Sequence, residues 1–268
     1  MLRSRDKACL VSARNILITL SPVNRKLCRM KSKVYLIPSL LDDEAVETIP
    51  LYVIDAIKDC QVFFVENDRT ARRYLKKVWR EIVIDNYQWC VISDKGDQAG
   101  ILKNFIREGK NIGIISEAGC PGIADPGQEL VAIAHEMNAE VKPLVGPDSI
   151  LLALMASGLE GQQFSFVGYL PINEQERTKA IKELEVESQK MRSTQIFIET
   201  PYRNNQLIES LLKKCKTTTR LCIAVDLTGK NEWIKMKTIA DWSKGLLSEN
   251  KERIDIHKRP AIFLLLAE

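Results

Sequence analysis

The 268-residue chain has no uninterrupted apolar run near the roughly 18 residues needed to cross a bilayer, and its longest late run, Ala261 to Ala267, is the length of a strand. A membrane span is not expected. Histidine is scarce, with only His135 and His257, and the seven cysteines (Cys9, Cys28, Cys60, Cys90, Cys120, Cys215, Cys222) include no C-x-x-C pair. A structural zinc site or a histidine-based triad therefore has little to build on, and no metal is expected. The odd number of widely spaced cysteines reads as reduced thiols in a cytoplasmic protein. Neither G-x-G-x-x-G nor the Gly-Lys-Ser/Thr ending of a phosphate loop occurs. What the chain does have is 45% hydrophobic and 28% charged residues, which excludes disordered and fibrous classes and is enough to bury one large core or two smaller ones.

The formal net charge is +4, but residues 1 to 30 carry seven cations against Asp6 alone, which leaves the remainder at −2. A cationic total first suggests a nucleic-acid partner, and this distribution moves the suggestion to a leader. Its apolar stretch, Ile16 to Leu20, is too short for a secretory signal. An organellar transit peptide and an upstream extension of the reading frame both suit an arginine-rich, acid-poor segment. Met30, followed by Lys31-Ser32-Lys33 and the apolar Val34-Tyr35-Leu36-Ile37, resembles a start into a first strand. Residues 1–29 are expected to be poorly ordered.

Short β-branched runs alternate with amphipathic stretches, which predicts an α/β protein with a mainly parallel sheet. In the first half the strands are Val34–Ile37, Gln61–Val65, Ile112–Ser116 and Glu140–Leu144. Helices fall at Thr48–Lys58, Arg69–Val78, Gln98–Glu108 with Gly109 as its C-cap, and from Pro126 behind Asp125 to about Asn138. Two prolines and a glycine in Pro143–Asp148 mark a boundary, giving an N-terminal domain over 30–146 and a C-terminal domain over 147–268. The second unit begins with helix Ser149–Ser157, capped near Asp148 or Ser149, then strand Phe164–Leu170 and the polar helix Asn173–Met191. Strand Thr194–Glu199, helix Asn204–Lys214, strands Leu221–Asp226 and Trp233–Thr238, helix Ile239–Leu247 and strand Ala261–Ala267 complete it.

The most informative stretch runs from Ile112 to Gly127, where a buried strand enters a turn with three glycines and two prolines and then a helix. Such a loop suits close backbone approach to a ligand, although an ordinary strand-to-helix connection has the same ingredients. Glu117 would repel a pyrophosphate and suits a cation or a hydroxyl-bearing ligand.

Ser116-Glu117-Ala118-Gly119-Cys120-Pro121-Gly122-Ile123-Ala124-Asp125-Pro126-Gly127 resembles the S-D-A-G-x-P-x-x-x-D-P-G loop of the tetrapyrrole methylase superfamily, the class III S-adenosylmethionine-dependent methyltransferases. Three further segments follow in order. PLVGPDSILLALMASGL from Pro143 to Leu159 resembles P-x-P-G-P-S-A-x-x-x-A-L-x-x-S-G-L, Phe164 to Pro171 resembles F-x-F-x-G-F-L-P, and Glu199 to Arg203 resembles E-S-P-H-R. Within the superfamily the resemblance is greatest to the ribosomal RNA small subunit methyltransferase I branch. It implies a two-domain α/β fold with S-adenosylmethionine in the cleft between the domains, no metal, and a homodimer. Matching the family's cofactor positions are Pro38, Glu117, Gly119, Cys120, Asp148, Ser149 and Ile150, with Glu199, Pro260 and Ala261 on segments approaching the adenosine.

Departures from the pattern fall on the acceptor side. The segment after the first strand is Ile37-Pro38-Ser39-Leu40-Leu41 where the RNA branch has A-T-P-I-G-N-L, and Glu66-Asn67-Asp68-Arg69 only partly matches E-D-T-R. Tetrapyrrole-specific members begin with G-x-G-x-G-D, which is also missing, and the chain stops at Glu268 where the RNA branch tends to continue. Glu66, Asp68 and Arg69 follow a strand end, where ligands collect in open α/β sheets. Glu66 or Asp68 is a candidate general base, with an acidic helix N-terminus as the alternative. Arg69 and Arg203 are candidate acceptor contacts, Arg203 having the alternative of pairing with Glu199. An RNA nucleotide is the first candidate acceptor. A small tetrapyrrole-type acceptor and a non-catalytic S-adenosylmethionine-binding module are the alternatives. Six cations between Arg69 and Arg80 are the local basic feature of an otherwise acidic body, although such a run also suits a solvated helix face.

Overall fold

The computed structural model describes residues 31–92, 96–247 and 254–268. The leader over 1–29 and the start at Met30 lie outside the described residues.

Five parallel strands form the first sheet: β1 (Lys33–Ile37), β2 (Val62–Val65), β3 (Gln88–Val91), β4 (Ile112–Ile115) and β5 (Glu140–Pro143), in the order β3-β2-β4-β1-β5. The central strands are apolar on both faces because helices cover both. Helices α1 (Tyr52–Asp59) and α2 (Asp68–Val78) bury Val53, Ile57, Tyr74 and Leu75 on one face, against Ile37, Phe63 and Val65. Helices α3 (Gln98–Glu108) and α4 (Gly127–Glu136) bury Leu102, Ile106, Leu130 and Ala134 on the other, against Val34, Phe64 and Ile112. A two-sided core needs a glycine at position 113, where a Cβ would stand 2.6 Å from the Phe63 ring.

The second sheet has the order β6-β7-β10-β8-β9, built from β6 (Phe164–Tyr169), β7 (Thr194–Ile198), β8 (Arg220–Val225), β9 (Trp233–Thr238) and β10 (Ala261–Leu266). Only β6 and β7 are parallel, whereas β10 runs antiparallel to β7 and β8, and β9 antiparallel to β8. The expectation of mainly parallel pairing therefore holds for the first sheet and fails for the second. A short connection makes β9 the antiparallel neighbour of β8, and β10, the last strand, inserts antiparallel between β7 and β8. Helices α6 (Glu174–Met191), α7 (Asn204–Lys214) and α8 (Ile239–Leu247) cover one face. Helix α5 (Ser149–Ser157), apolar nearly all round, covers the other through Ile150, Ala153 and Leu154.

Local chemistry sets the helix ends. Asn67 accepts from the N–H groups of Arg69 (3.0 Å) and Thr70 (3.4 Å) to cap α2, and Asp148 accepts from Leu151 N–H (2.9 Å) to cap α5. Gly109 closes α3 at φ 79°. α1 begins at Tyr52 rather than Thr48, because Pro50 separates it from a single 3-10 turn at Val46–Thr48. β3 was not foreseen. The short strand Gln88-Trp89-Cys90-Val91 sits at the sheet edge and lacks the alternation that a half-buried strand shows.

Candidate active site at the strand ends

The loops that leave β1 and β4 are joined directly. Ser39 N–H donates to Gly119 C=O (2.8 Å), Gly119 N–H returns to Ser39 C=O (3.2 Å), and Ser39 Oγ donates to Ser116 C=O (2.6 Å). Gly119 has φ 78°, so the loop needs glycine there for its backbone conformation. Asp125 shapes the rest of the turn, one carboxylate oxygen accepting from Gly122 N–H (2.8 Å) and Gly127 N–H (2.7 Å). That carboxylate is part of the turn rather than a cap on α4, whose N-cap position is Pro126.

The third participant is the connector between the sheets. Gly146 lies so close to Pro38 that a Cβ would come within 2.2 Å of the proline Cβ. Cys120 Sγ is 3.8 Å from Gly146 C=O and 3.6 Å from Pro147 C=O. Burial pushes the Cys120 thiol above its ordinary value, with Asp148 and Asp125 adding to the shift, so this thiol is a packing group at neutral pH. Pro38, Glu117, Gly119, Cys120, Asp148, Ser149 and Ile150, picked out in the sequence, thus converge where β1 and β4 end.

The acidic groups flank this junction. Glu66, just past β2, accepts from Glu117 N–H (3.2 Å), and Glu117 accepts from Thr70 Oγ1 (2.5 Å). Burial raises the Glu66 carboxyl above its ordinary value, the Asp125 and Glu117 carboxylates add to the rise, and the Glu117 N–H opposes it. Asp68 instead starts α2 and pairs with Arg72 at 3.3 Å. Arg69 is exposed on the same helix. A cavity of about 230 Å³ opens here, lined among others by Ser39, Asp43, Thr70, Arg73, Tyr74 and Glu117. Sequence reading passed over Ser39, Asp43, Thr70 and Tyr74. The Tyr74 hydroxyl donates to Pro38 C=O (2.5 Å), and no periodicity could have signalled that contact.

A second group of residues comes from the other sheet. Glu199 directly follows β7 with its side chain fully buried. One oxygen accepts from Thr200 N–H (2.7 Å), Arg203 Nε (3.1 Å) and Arg203 Nη2 (2.7 Å), and the other has no partner within the protein. Arg203 is therefore the partner of Glu199. Asp226 N–H donates to Pro260 C=O (3.0 Å), and its carboxylate holds Arg259 at 2.7 Å. Thr228, with φ 68°, leaves a buried hydroxyl unpartnered. The two groups meet through Leu41, which packs against the buried cluster that holds Ile150, Leu227 and Ile262, and through Gly229, where a Cβ would stand 2.6 Å from the Asp42 carboxylate. A cavity of about 710 Å³ lies apart from the glycine loop, beside Trp233 and Ile254.

Among the described residues no group of three or more His, Cys, Asp or Glu side chains could hold a metal ion, and no helix is long and apolar enough to cross a membrane. The five described cysteines are free thiols.

An open parallel sheet whose strand-end loops meet a second, mixed sheet defines a two-domain α/β protein, of the architecture in which ligands collect at strand ends. The chain belongs to the tetrapyrrole (corrin/porphyrin) methylases, a family of methyltransferases, whose profile matches residues 33–242. It is similar to the ribosomal RNA small subunit methyltransferase I of Bacillus subtilis, 28% identical over 78% of this chain and 68% of that protein. The protein of the same name from Vibrio cholerae is 34% identical over 54% of this chain and 49% of its own length. The one from Escherichia coli O157:H7 is 32% identical over 68% of this chain and 61% of its own. The chain thus spans about half to two thirds of these relatives. The crystal structure of the methyltransferase CobJ shares the fold, with a TM-score of 0.55 at 17% identity over 88% of this chain and 94% of that one.

Proposed function

We propose that the chain transfers the methyl group of S-adenosylmethionine to a nucleotide of RNA. The observation that carries this reading is the paired Ser39–Gly119 backbone, which fixes the glycine loop beside Pro38 and the Asp148-capped start of α5. The residues fit the ligand. Unpartnered buried atoms at Glu199 and Thr228 can accept or donate hydrogen bonds, and the left-handed backbone at Gly119 lets the loop approach a ligand closely. S-adenosylmethionine supplies an electrophilic methyl carbon on a sulfonium, so the protein has chiefly to align an attacking atom with it.

In this reading Pro38, Glu117, Gly119, Cys120, Asp148, Ser149 and Ile150 form the N-terminal side of the donor site, and Glu199, Pro260 and Ala261 the other. The Glu117 carboxylate suits a neighbouring cationic centre. The cavity lined by Ser39, Asp43, Thr70 and Arg73 receives the acceptor. Glu66, with its raised carboxyl pKa, takes the proton of an attacking hydroxyl. Asp68 is disfavoured for that role by its pairing with Arg72. Arg69 contacts the acceptor's phosphates, while Arg203 positions Glu199. The RNA acceptor is supported by the names of the relatives, which act on ribosomal RNA by those names. A homodimer is supported by Met155, 80% exposed on α5, and Leu151 beside it, apolar side chains that the chain leaves uncovered.

Labelled-methyl transfer from S-adenosylmethionine to total cellular RNA, set against transfer to a small-molecule extract, tests the acceptor. Label is expected in the RNA. Calorimetry tests the donor separately, and absence of S-adenosylmethionine binding at millimolar ligand removes the whole reading, including the alternative of a binding module.

A further inference from the structure

Beyond the methyl-transfer machinery, the turn after Glu199 exposes an aromatic ring that the fold itself does not use. Tyr202 is 69% exposed. The Lys258 ammonium lies 5.8 Å from its ring centroid, and His257 meets it edge-on at 5.8 Å. Tyr169, 62% exposed, ends β6 opposite Ile198, so a second tyrosine stands at the same end of the β6–β7 pair.

A frame of hydrogen bonds fixes this surface. Lys258 N–H donates to Pro201 C=O (3.0 Å) from a backbone at φ 65°. The buried Asn204 donates to Arg259 C=O (2.7 Å), and Asn205 accepts from Ile256 N–H (3.1 Å). Asp255, the exposed carboxylate nearby, is turned toward Asn205 Nδ2 (2.9 Å) and His257 N–H (3.1 Å). Glu199 is buried against Arg203. The exposed functional groups are therefore two tyrosines, a lysine and a histidine, with the Asp255 carboxylate beside them held by Asn205 and His257 N–H. Such a set stacks unpaired bases on its rings and attracts the adjoining phosphates.

We propose that Tyr202, backed by Lys258 and His257 and extended by Tyr169, is a stacking platform that positions an unpaired stretch of the RNA acceptor beside the cleft. The proposal rests on the RNA reading above and adds to it the single-stranded character of the segment recognised. Tyr202 acts here as a positioning residue. Its loss raises KM for RNA while leaving kcat and S-adenosylmethionine affinity near those of the unaltered protein.

The test uses the full chain, a labelled single-stranded RNA oligonucleotide of mixed sequence, and the same oligonucleotide annealed to its complement. The single strand is expected to bind more tightly than the duplex. Tyr202→Ala should weaken single-strand binding about tenfold, and Tyr202→Phe, which keeps the ring, should stay within about twofold. Lys258→Gln should lower affinity several-fold and flatten its dependence on salt. S-adenosylmethionine binding by each variant certifies its fold. If Tyr202→Ala and Lys258→Gln bind RNA as the unaltered protein does, the platform is overturned and the methyl-transfer reading stands. If the unaltered protein binds S-adenosylmethionine but neither binds nor methylates RNA, the RNA reading falls and the platform with it.

Discussion

Glu66 is the residue on which the proposed chemistry turns. Its carboxyl pKa is raised by burial and by the neighbouring Asp125 and Glu117 carboxylates, so the charged form needed for base action appears only as pH rises through that elevated value. The turnover profile should show an acid limb above the ordinary carboxylate range, and Glu66→Gln should lower kcat by roughly 10²-fold or more and abolish that limb. Unchanged turnover in this variant removes the assignment. The same shift bears on stability with a definite sign. A folded state that holds the proton more tightly than the unfolded one loses stability as pH rises between the two pKa values, so Glu66→Gln should match or exceed the parent in Tm at neutral pH. The sequence marked Glu66, but not its setting. The Glu117 N–H, the Thr70 hydroxyl and the Tyr74–Pro38 contact come from segments far apart in the chain, and no local pattern records them.

At the scale of elements, two caps decide how the site is presented. Asn67 and Asp148 occupy corresponding places, one opening α2 beside the cavity proposed for the acceptor and the other opening α5 beside the loop proposed for the donor. Replacing either by Ala should cost about 1 kcal/mol, read from denaturant midpoints. Asp148→Ala should in addition weaken S-adenosylmethionine binding, whereas Asn67→Ala should not. The Asp148 cap was legible because an Asx residue before an apolar run is a local signal, and so were most of the helices and the apolar strands. Strand direction was not: Thr194–Ile198 and Ala261–Leu266 carry similar β-branched and apolar character, and nothing in it states that they run opposite ways. The edge strand β3 escaped because partial exposure breaks the alternation that marks a strand.

For the whole molecule the charge balance carries the prediction. The cationic excess sits in residues 1 to 30 and the rest of the chain is at −2, so the proposed RNA affinity of that remainder has to come from local cations. Several cations of α2 are already engaged. Arg72 pairs with Asp68 and covers the Trp89 ring, Arg73 and Lys77 meet Asp43, and Lys76 donates to Ile82 C=O. Arg69 and Arg80 have no ion-pair partner among the described residues. Charge reversal at Arg69 and Arg80 should therefore weaken RNA binding at low salt by more than reversal at Arg73, with the difference vanishing at high salt. Equal losses would mean that the ion pairs exchange freely with phosphate. The sequence made the cationic helix visible and left its internal neutralisation hidden, because Asp43 lies on a loop outside α2.

The contact between Gly146 and Pro38 bears on motion. A segment joining two halves of a protein is the usual place for a hinge, yet here its glycine is pressed against a proline ring with no space for so much as a methyl group. Backbone freedom at Gly146 is spent on close approach, so the start of the connector is clamped onto the end of β1, beside the glycine loop that Ser39 holds. Gly146→Ala should displace that clamp and lower Tm, at a cost of about 1–3 kcal/mol in stability, read from denaturant midpoints.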